Sequence, residues 1–212
     1  MRIVIDGAAG SGKTTFLSCN YLRNNLKKKN DVEIPTIINL GYKVFSELIQ
    51  GSVNQARKYN IIPPKKTDEW NKLFEIIYNR GKLQYEESDG ENICWYDRGL
   101  PFIAVFAKAH DIEINTELLE KIKMFRYDYI FIFEPIASYD LSMKDNGKFQ
   151  PLSLEDRYIE FERTKKIYEE LGYQVYTVPF FSENLLENFK QRYEFIKNII
   201  PDLKDYENGE IV

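Results

Sequence analysis

The sequence is poor in the residues that build metal and disulfide sites. Its 212 residues include one histidine, His110, and two cysteines, Cys19 and Cys94, without CxxC spacing. Four nitrogen and sulfur ligands for a structural zinc ion cannot be assembled from these residues. Two distant cysteines, each in a segment that we predict to be buried, indicate a reduced, cytoplasmic chain rather than one stabilised by disulfides.

The sequence also lacks long apolar runs and an excess of positive charge. No run reaches the roughly 18–20 residues of a membrane-spanning helix. The opening segment meets the charges of Arg2 and Asp6 too soon for a secretory leader. The net charge of −4 gives no overall attraction to nucleic acid. We therefore expect neither membrane nor nucleic-acid partners, whereas a homodimer is compatible with the sequence.

The chain does contain enough apolar sequence for one sizeable core. Hydrophobic residues make up 43% of it and aromatic residues 15%, which is typical of a folded domain. Short β-branched runs alternate with longer helical patterns, which predicts an α/β fold with a parallel sheet. We treat residues 1–200 as a single domain and residues 201–212 as a C-terminal tail.

The apolar patterns place the individual elements. They predict strands at residues 2–6, 33–40, 93–97, 127–133 and 174–178. The run at 127–133 is almost entirely apolar and aromatic, as in a strand buried on both faces. Helices are predicted at residues 13–28, 42–50, 100–109, 116–125 and 153–171, the last of these with Ser153 as its cap. Two further helices are predicted to begin at about residue 67 and at a cap at Ser182. The polar segment 142–152 is interpreted as an exposed, mobile loop.

A phosphate-binding motif follows the first predicted strand and opens a helix. It fits the pattern GxxxxGK followed by Ser or Thr. Glycines allow positive φ angles and bring backbone amides close to phosphate oxygens, and the helix N-terminus favours an anion. We expect Lys13 to face solvent and contact the β- and γ-phosphates of ATP or GTP, and the Thr14 hydroxyl to bind Mg²⁺. The nucleotide-binding residues predicted here are Gly7, Ala8, Ala9, Gly10, Ser11, Gly12, Lys13, Thr14 and Thr15.

A second candidate site lies where the predicted strand at residues 93–97 ends in Asp97, Arg98 and Gly99. Ligands of open parallel sheets bind beyond the carboxyl ends of the strands. There, Asp97 could hold a metal-bound water or accept a proton, and Arg98 could contact a phosphate. Together with Lys13, they form the predicted catalytic set. The alternative is that Asp97 caps the next helix and Arg98 forms a surface ion pair.

Six segments of the chain form a familiar set, at residues 7–15, 97–101, 134–135, 145–148, 168–173 and 178–179. Together they resemble the nicotinamide-riboside-kinase-like P-loop ATPase and kinase family, within the nucleoside and nucleotide kinases, and the resemblance covers nearly the whole chain. It implies a three-layer α/β/α domain whose five-stranded parallel sheet has the order 2-3-1-4-5, with ATP and Mg²⁺ as cofactors. It also implies that segment 142–152 acts as a lid.

The sequence departs from this family at two places. Lys148 stands where many members have arginine, so Arg157 and Arg163 on the following helix are the other candidates for contact with the nucleotide. After the second strand, many members carry Glu-x-x-Arg, whereas this chain reads Lys-Val-Phe-Ser at residues 43–46. The phosphate acceptor therefore does not transfer from any one member. Whether Asp6 and Glu134, at two other strand ends, take part in catalysis stays open.

Three function hypotheses follow from these residues. The first is a kinase that transfers phosphate from Mg²⁺–ATP to a nucleoside, a nucleotide or a similar small molecule. The second is an ATPase switch that signals to a protein, although the sequence has no acidic Walker B pair. The third is a kinase acting on the ends or bases of DNA or RNA, which the negative net charge opposes.

Overall fold

A parallel five-stranded sheet forms the centre of the protein. The computed structural model describes residues 1–18, 36–58, 64–88, 92–137, 152–207 and 210–211. The strand order is β2-β3-β1-β4-β5, which confirms the order implied by the family resemblance. The strands are β1 (Arg2–Gly7), β2 (Lys43–Phe45), β3 (Cys94–Asp97), β4 (Tyr129–Phe133) and β5 (Val175–Val178).

Helices cover both faces of this sheet and complete a three-layer α/β/α fold. They are α1 (Lys13–Leu17), α2 (Leu48–Lys58), α3 (Thr67–Glu87), α4 (Phe102–Ala109), α5 (Thr116–Lys123), α6 (Leu154–Glu170) and α7 (Leu185–Ile199). Helices α1 and α7 pack on one face, and the other helices pack on the opposite face. Two short antiparallel strands, β6 (Tyr206–Glu207) and β7 (Glu210–Ile211), follow α7. No helix in the described ranges is long and apolar enough to cross a membrane.

Alternating side chains in the central strands build two separate cores. In β1, Ile3 and Ile5 belong to the core beneath α1 and α7, whereas Val4 belongs to the core beneath the other helices. In β4, Phe131 and Ile132 divide in the same way. Because both faces of each strand are buried, the strands show continuous apolar runs rather than polar alternation.

The second strand lies farther along the chain than the sequence analysis predicted. In the described part of the segment 33–40, residues 37–40 form turns, and Gly41 has a positive φ of 76°. Strand β2 then pairs with β3, with Lys43 opposite Cys94 and Phe45 opposite Tyr96. The predicted helix at residues 42–50 is therefore wrong over its first half, and α2 begins at Leu48. The apolar residues at 44, 45, 48 and 49 fit a helical period, so the pattern alone did not separate the strand from the helix.

The start of α6 is as predicted, but the start of α7 is not. The Ser153 hydroxyl accepts a hydrogen bond from the Asp156 amide, and the Asp156 carboxylate accepts one from the Ser153 amide. This reciprocal pair forms a capping box. At α7 the cap is Asn184, whose side chain accepts from two amides of the first turn, and Ser182 only accepts from the Asn184 amide. Two polar residues at nearby positions made the sequence signal ambiguous.

Two of the predicted segments fall partly or wholly outside the described residues. The predicted helix at 13–28 is described only through residue 18. The lid at 142–152 and its Lys148 lie outside, apart from the exposed Leu152. Part of the predicted tail is packed, because Leu203 is buried with α7 and the Lys204 amide donates to the Tyr42 hydroxyl.

Gly7, at the end of β1, allows a stability test of the turn that follows. Its φ is 135°, and a Cβ there would lie 2.5 Å from the Phe133 carbonyl oxygen. Gly172 also has a positive φ, 79°, but a Cβ there would meet nothing within 4 Å. Gly172→Ala is therefore expected to lower the free energy of unfolding by about 1–2 kcal/mol through backbone strain alone. Gly7→Ala should lower it clearly more, as measured by urea denaturation. Equal losses would contradict this description of the β1 end.

Candidate functional site

The glycine-rich motif forms the turn between β1 and α1, at the carboxyl edge of the central strand. Gly10 and Gly12 have φ angles of 75° and 86°, in the left-handed region that glycine adopts without strain. Gly12 is also the N-cap of α1. The turn therefore combines closely spaced backbone amides with a helix N-terminus, the arrangement that binds phosphate in proteins.

Lys13 lies inside this turn rather than in solvent. Its Nζ donates to the carbonyl oxygens of Gly7 at 2.7 Å and Ala8 at 2.8 Å, with Ser11 Oγ at 3.3 Å. The residue is only 7% exposed, so the expectation of a solvent-facing lysine is wrong. Burial lowers the pKa of the Lys13 ammonium, and the nearby Arg98 lowers it further. Because the backbone carbonyls of the turn bond to the Lys13 ammonium, Lys13→Ala would also disturb the local structure.

Asp97 joins the end of β3 to the phosphate-binding turn. Its Oδ2 accepts a hydrogen bond from the Thr14 hydroxyl at 2.8 Å, and the residue is 3% exposed. Its Oδ1 is buried and has no hydrogen-bond partner among the described residues. Burial raises the pKa of the Asp97 carboxyl, while Lys13 acts against this rise. The alternative that Asp97 caps the next helix is wrong, because the N-cap of α4 is Pro101.

Arg98 is held in a strained conformation between two carboxylates. Its φ is 68°, which is unusual for a residue with a side chain. Its Nη1 lies 3.0 Å from Glu47 Oε1 and its Nε lies 3.5 Å from Asp6 Oδ1, and its guanidinium stacks on Phe102. Burial alone would lower the pKa of Arg98, but Asp6, Glu47 and Asp97 raise it. Arg98 is therefore part of an interior network and not of a surface ion pair.

Asp6 connects the start of the turn to α6. Its carboxylate accepts hydrogen bonds from the Gly7 amide at 2.7 Å and from the Tyr168 hydroxyl at 2.8 Å. The residue is fully buried, and burial raises its pKa to about 6, against the opposing charges of Arg98 and Lys13. Because Asp6 lies beside the turn, its charge state affects the pKa of both Lys13 and Arg98.

The oxygens of Thr14 and Asp97 fit a magnesium ion that also binds phosphate. Mg²⁺ prefers six oxygen ligands and keeps several waters, so a protein supplies only one or two of them. The unpartnered Asp97 Oδ1 is the kind of oxygen that a metal-bound water would satisfy. Within the described ranges, no group of three or more His, Cys, Asp or Glu side chains could hold a metal ion. The Thr14 and Asp97 oxygens are therefore compatible with a magnesium ion that would take its other ligands from water and phosphate.

Three residues that the sequence analysis missed also contact the site. Glu47 lies against Arg98; Glu160 Oε2 accepts from the Ala9 amide at 3.1 Å; and Arg192 Nη1 donates to the Ser11 carbonyl at 2.6 Å. Glu47 lies two residues after the end of β2 and would have been noticed had that strand been placed correctly. Glu160 and Arg192 lie in ordinary charged helices, so no local pattern marks them.

The remaining sequence candidates have other partners. Arg157 is buried, and its Nη1 donates to the Ile136 carbonyl oxygen at 2.8 Å. Glu134 accepts a hydrogen bond from the Phe180 amide at 3.3 Å, which stabilises the ends of β4 and β5. Thr15 lies in the first turn of α1. Both contacts are with backbone groups of the protein itself, so nucleotide contact by Arg157 and a catalytic part for Glu134 stay predictions.

Comparison with known proteins places this site in a family. The family model described as AAA domain (AAA_28) matches residues 2–186, which include the phosphate-binding turn, Asp97 and Arg98. The chain belongs to this AAA-domain family. No curated protein sequence matches the chain.

Solved structures share the fold of this AAA-domain protein at low identity. Deoxyadenosine kinase from M. mycoides, with dCMP and dCDP bound, has a TM-score of 0.54 and 16% identity, covering 96% of this chain and 100% of that one. Thymidylate kinase from Ehrlichia chaffeensis has a TM-score of 0.52 and 15% identity, covering 94% and 98%. NadR protein in complex with NAD and AMP-PNP has a TM-score of 0.55 and 17% identity, covering 98% of this chain but 51% of NadR. The AAA-domain protein thus has a P-loop kinase fold.

The buried Asp6 leads to a prediction about stability and pH. The carboxyl titrates near pH 4 in an unfolded chain and near pH 6 in the folded protein. As the pH rises between these values, the unfolded state releases its proton while the folded state keeps it. The folded state is therefore disfavoured, by about 3 kcal/mol once the pH exceeds 6.

The measurement compares urea denaturation of the wild type and Asp6→Asn at several pH values between about 4 and 7. The wild type should lose stability relative to Asp6→Asn across this window, because asparagine does not titrate. Parallel profiles for the two proteins would show that Asp6 keeps an ordinary pKa.

Proposed function

We propose that this AAA-domain protein is an ATP-dependent phosphotransferase acting on a nucleoside, a nucleotide or a similar small molecule. The observation that carries the proposal is the hydrogen bond between Thr14 and Asp97, beside Lys13. It joins the phosphate-binding turn to a carboxylate on the neighbouring strand, which is the minimum set for holding a metal and phosphates together. The shared fold with nucleoside and nucleotide kinases supports the proposal.

In this proposal, the residues of the turn position the donor nucleotide. The amides of the turn and the N-terminus of α1 bind the phosphates, and Lys13 exchanges its carbonyl partners for phosphate oxygens. Thr14 and Asp97 would hold Mg²⁺, which neutralises charge that develops on the phosphates. Most of the catalytic effect in phosphoryl transfer comes from such positioning and charge neutralisation.

The reaction moves one phosphoryl group between two oxygens. An acceptor oxygen forms a bond to the γ-phosphorus, the bond from that phosphorus to the bridging oxygen breaks, and ADP leaves. If the acceptor oxygen is a hydroxyl, its proton passes to a carboxylate of the protein, whereas a phosphate oxygen attacks as an anion. Asp97 was the candidate from the sequence, but the structure adds Glu47, whose side chain is 36% exposed beside Arg98. Because Asp97 is buried and bonded to Thr14, we assign it to the metal side and Glu47 to the acceptor side.

A transfer assay tests the proposed activity. The protein is incubated with Mg²⁺ and ATP labelled on its γ-phosphate, either alone or with a panel of nucleosides, nucleotides and oligonucleotides. Label should appear on one or more of the nucleosides or nucleotides. Hydrolysis at the same rate with or without any acceptor would favour the ATPase switch, and label on oligonucleotides would favour the nucleic-acid kinase. Either result would overturn the proposal.

Asp97→Asn separates the proposed chemistry from a structural role. The amide oxygen can still accept from the Thr14 hydroxyl, so the melting temperature should change little. Loss of the charge should lower single-turnover transfer by about 10²–10³-fold, the usual effect of losing one group that stabilises charge in the transition state. The Mg²⁺ concentration for half-maximal activity should also rise.

Asp128→Asn is the matched control for this substitution. Asp128 lies just before β4, at the opposite edge of the sheet, where its carboxylate accepts from the Arg2 amide at 2.6 Å. Its substitution should leave transfer at the wild-type rate. A wild-type rate in Asp97→Asn as well, with an unchanged melt, would remove Asp97 from the mechanism.

A further inference from the structure

Arg192 is a buried cation of α7 that lies directly behind the phosphate-binding turn. It is 1% exposed, and its guanidinium stacks on the Phe133 ring at 4.3 Å from the centroid. Burial lowers the pKa of this guanidinium to about 9, and the charge of Glu134 acts against this shift. Burying a charge lowers the free energy of unfolding unless the surroundings compensate for it. The buried position of Arg192 therefore needs a structural or functional explanation.

The guanidinium joins three segments of backbone through their carbonyl oxygens. Nη1 donates to Ser11 in the turn at 2.6 Å, Nη2 to Glu134 after β4 at 3.2 Å, and Nε to Pro179 after β5 at 3.0 Å. Arginine suits this task because its planar fork presents several donors in a fixed geometry, which lysine does not. Arg192 thereby fixes the turn relative to the ends of β4 and β5.

The contact with Ser11 also determines where the Gly12 amide points. The Ser11 carbonyl and the Gly12 N–H belong to one planar trans peptide unit, so they point in opposite directions. Because Arg192 holds the carbonyl, the N–H is directed away from Arg192. Gly12 is the N-cap of α1, where unpaired amides are available to an anion. A hydrogen bond at the carbonyl also polarises the peptide and strengthens its N–H as a donor.

We propose that Arg192 is a positioning residue that orients and polarises the Gly12 amide for contact with the nucleotide phosphates. This inference rests on the proposed function, since it assumes that the turn binds nucleotide. Arg192 contacts the phosphates only through the Ser11–Gly12 peptide. The arrival of phosphate charge in turn compensates for the cost of burying the guanidinium, so nucleotide binding and the Arg192 contacts stabilise each other.

The test measures binding of Mg²⁺–ADP by titration calorimetry to Arg192→Gln and Arg192→Lys. Losing a charge-assisted hydrogen bond to the turn should weaken binding by about tenfold or more in Arg192→Gln. Arg192→Lys keeps the charge but loses the fork, and it should weaken binding by about threefold or more. In kinetic assays both variants should raise the KM for ATP and leave the KM for the acceptor unchanged.

Arg126→Gln provides a matched control. Arg126 also donates to two backbone carbonyls, those of Leu171 at 3.0 Å and Gly172 at 2.9 Å, and stacks on Tyr173. It joins the segment before β4 to the end of α6 and not to the turn. Arg126→Gln should therefore lower the melting temperature while leaving the affinity for Mg²⁺–ADP unchanged.

The outcomes separate this inference from the proposed function. If the wild type does not bind Mg²⁺–ADP, the proposed function is wrong and the inference falls with it. If the wild type binds and folded Arg192→Gln binds equally well, only the inference is wrong. If Arg192→Gln does not fold, Arg192→Lys decides, and an unchanged dissociation constant in that variant would overturn the role of the fork.

Discussion

The ammonium of Lys13, bonded to the carbonyl oxygens of Gly7 and Ala8, is the interaction around which the site is organised. The Lys13 ammonium bonds the two ends of the turn after β1 to each other, so the turn has a defined shape before any phosphate arrives. The same turn is also attached to three elements of the fold. Asp6 connects it to the sheet, Glu160 to α6 and Arg192 to α7. A phosphate that binds here replaces internal partners of Lys13 in a turn that is already formed.

The charge balance around this turn connects the fold to the proposed chemistry. Four carboxylates act on the Arg98 guanidinium: Asp6, Glu47, Asp97 and Glu160. These four carboxylates outnumber the cations Lys13, Arg98 and Arg192, the last of which donates to the Ser11 carbonyl of the turn. A triphosphate arriving alone would therefore meet excess negative charge. A divalent cation that binds together with the phosphates would offset this repulsion between negative charges. The unpartnered oxygen of Asp97 is therefore consistent with a site that binds the nucleotide and its metal together.

Local sequence signals predicted the centre of the fold and of the site, and they failed where contacts are distant along the chain. The glycine turn, the apolar strands and Asp97 can each be recognised from a pattern that spans only a few residues. The strand at residues 43–45 is short, and its apolar spacing also fits a helix, so both β2 and the adjacent Glu47 were missed. The buried position of Lys13 and the roles of Glu160 and Arg192 arise from tertiary contacts. No periodicity or motif encodes such contacts.

The central claim is that the turn at residues 7–15 binds nucleotide phosphates together with a metal at Thr14 and Asp97. A crystal structure with Mg²⁺ and a non-hydrolysable ATP analogue tests it most directly. The account predicts phosphate oxygens on the amides of the turn, Lys13 Nζ moved from the Gly7 and Ala8 carbonyls to phosphate, and Asp97 Oδ1 on a magnesium-bound water. A nucleotide bound elsewhere, with Lys13 still on those carbonyls, would contradict it.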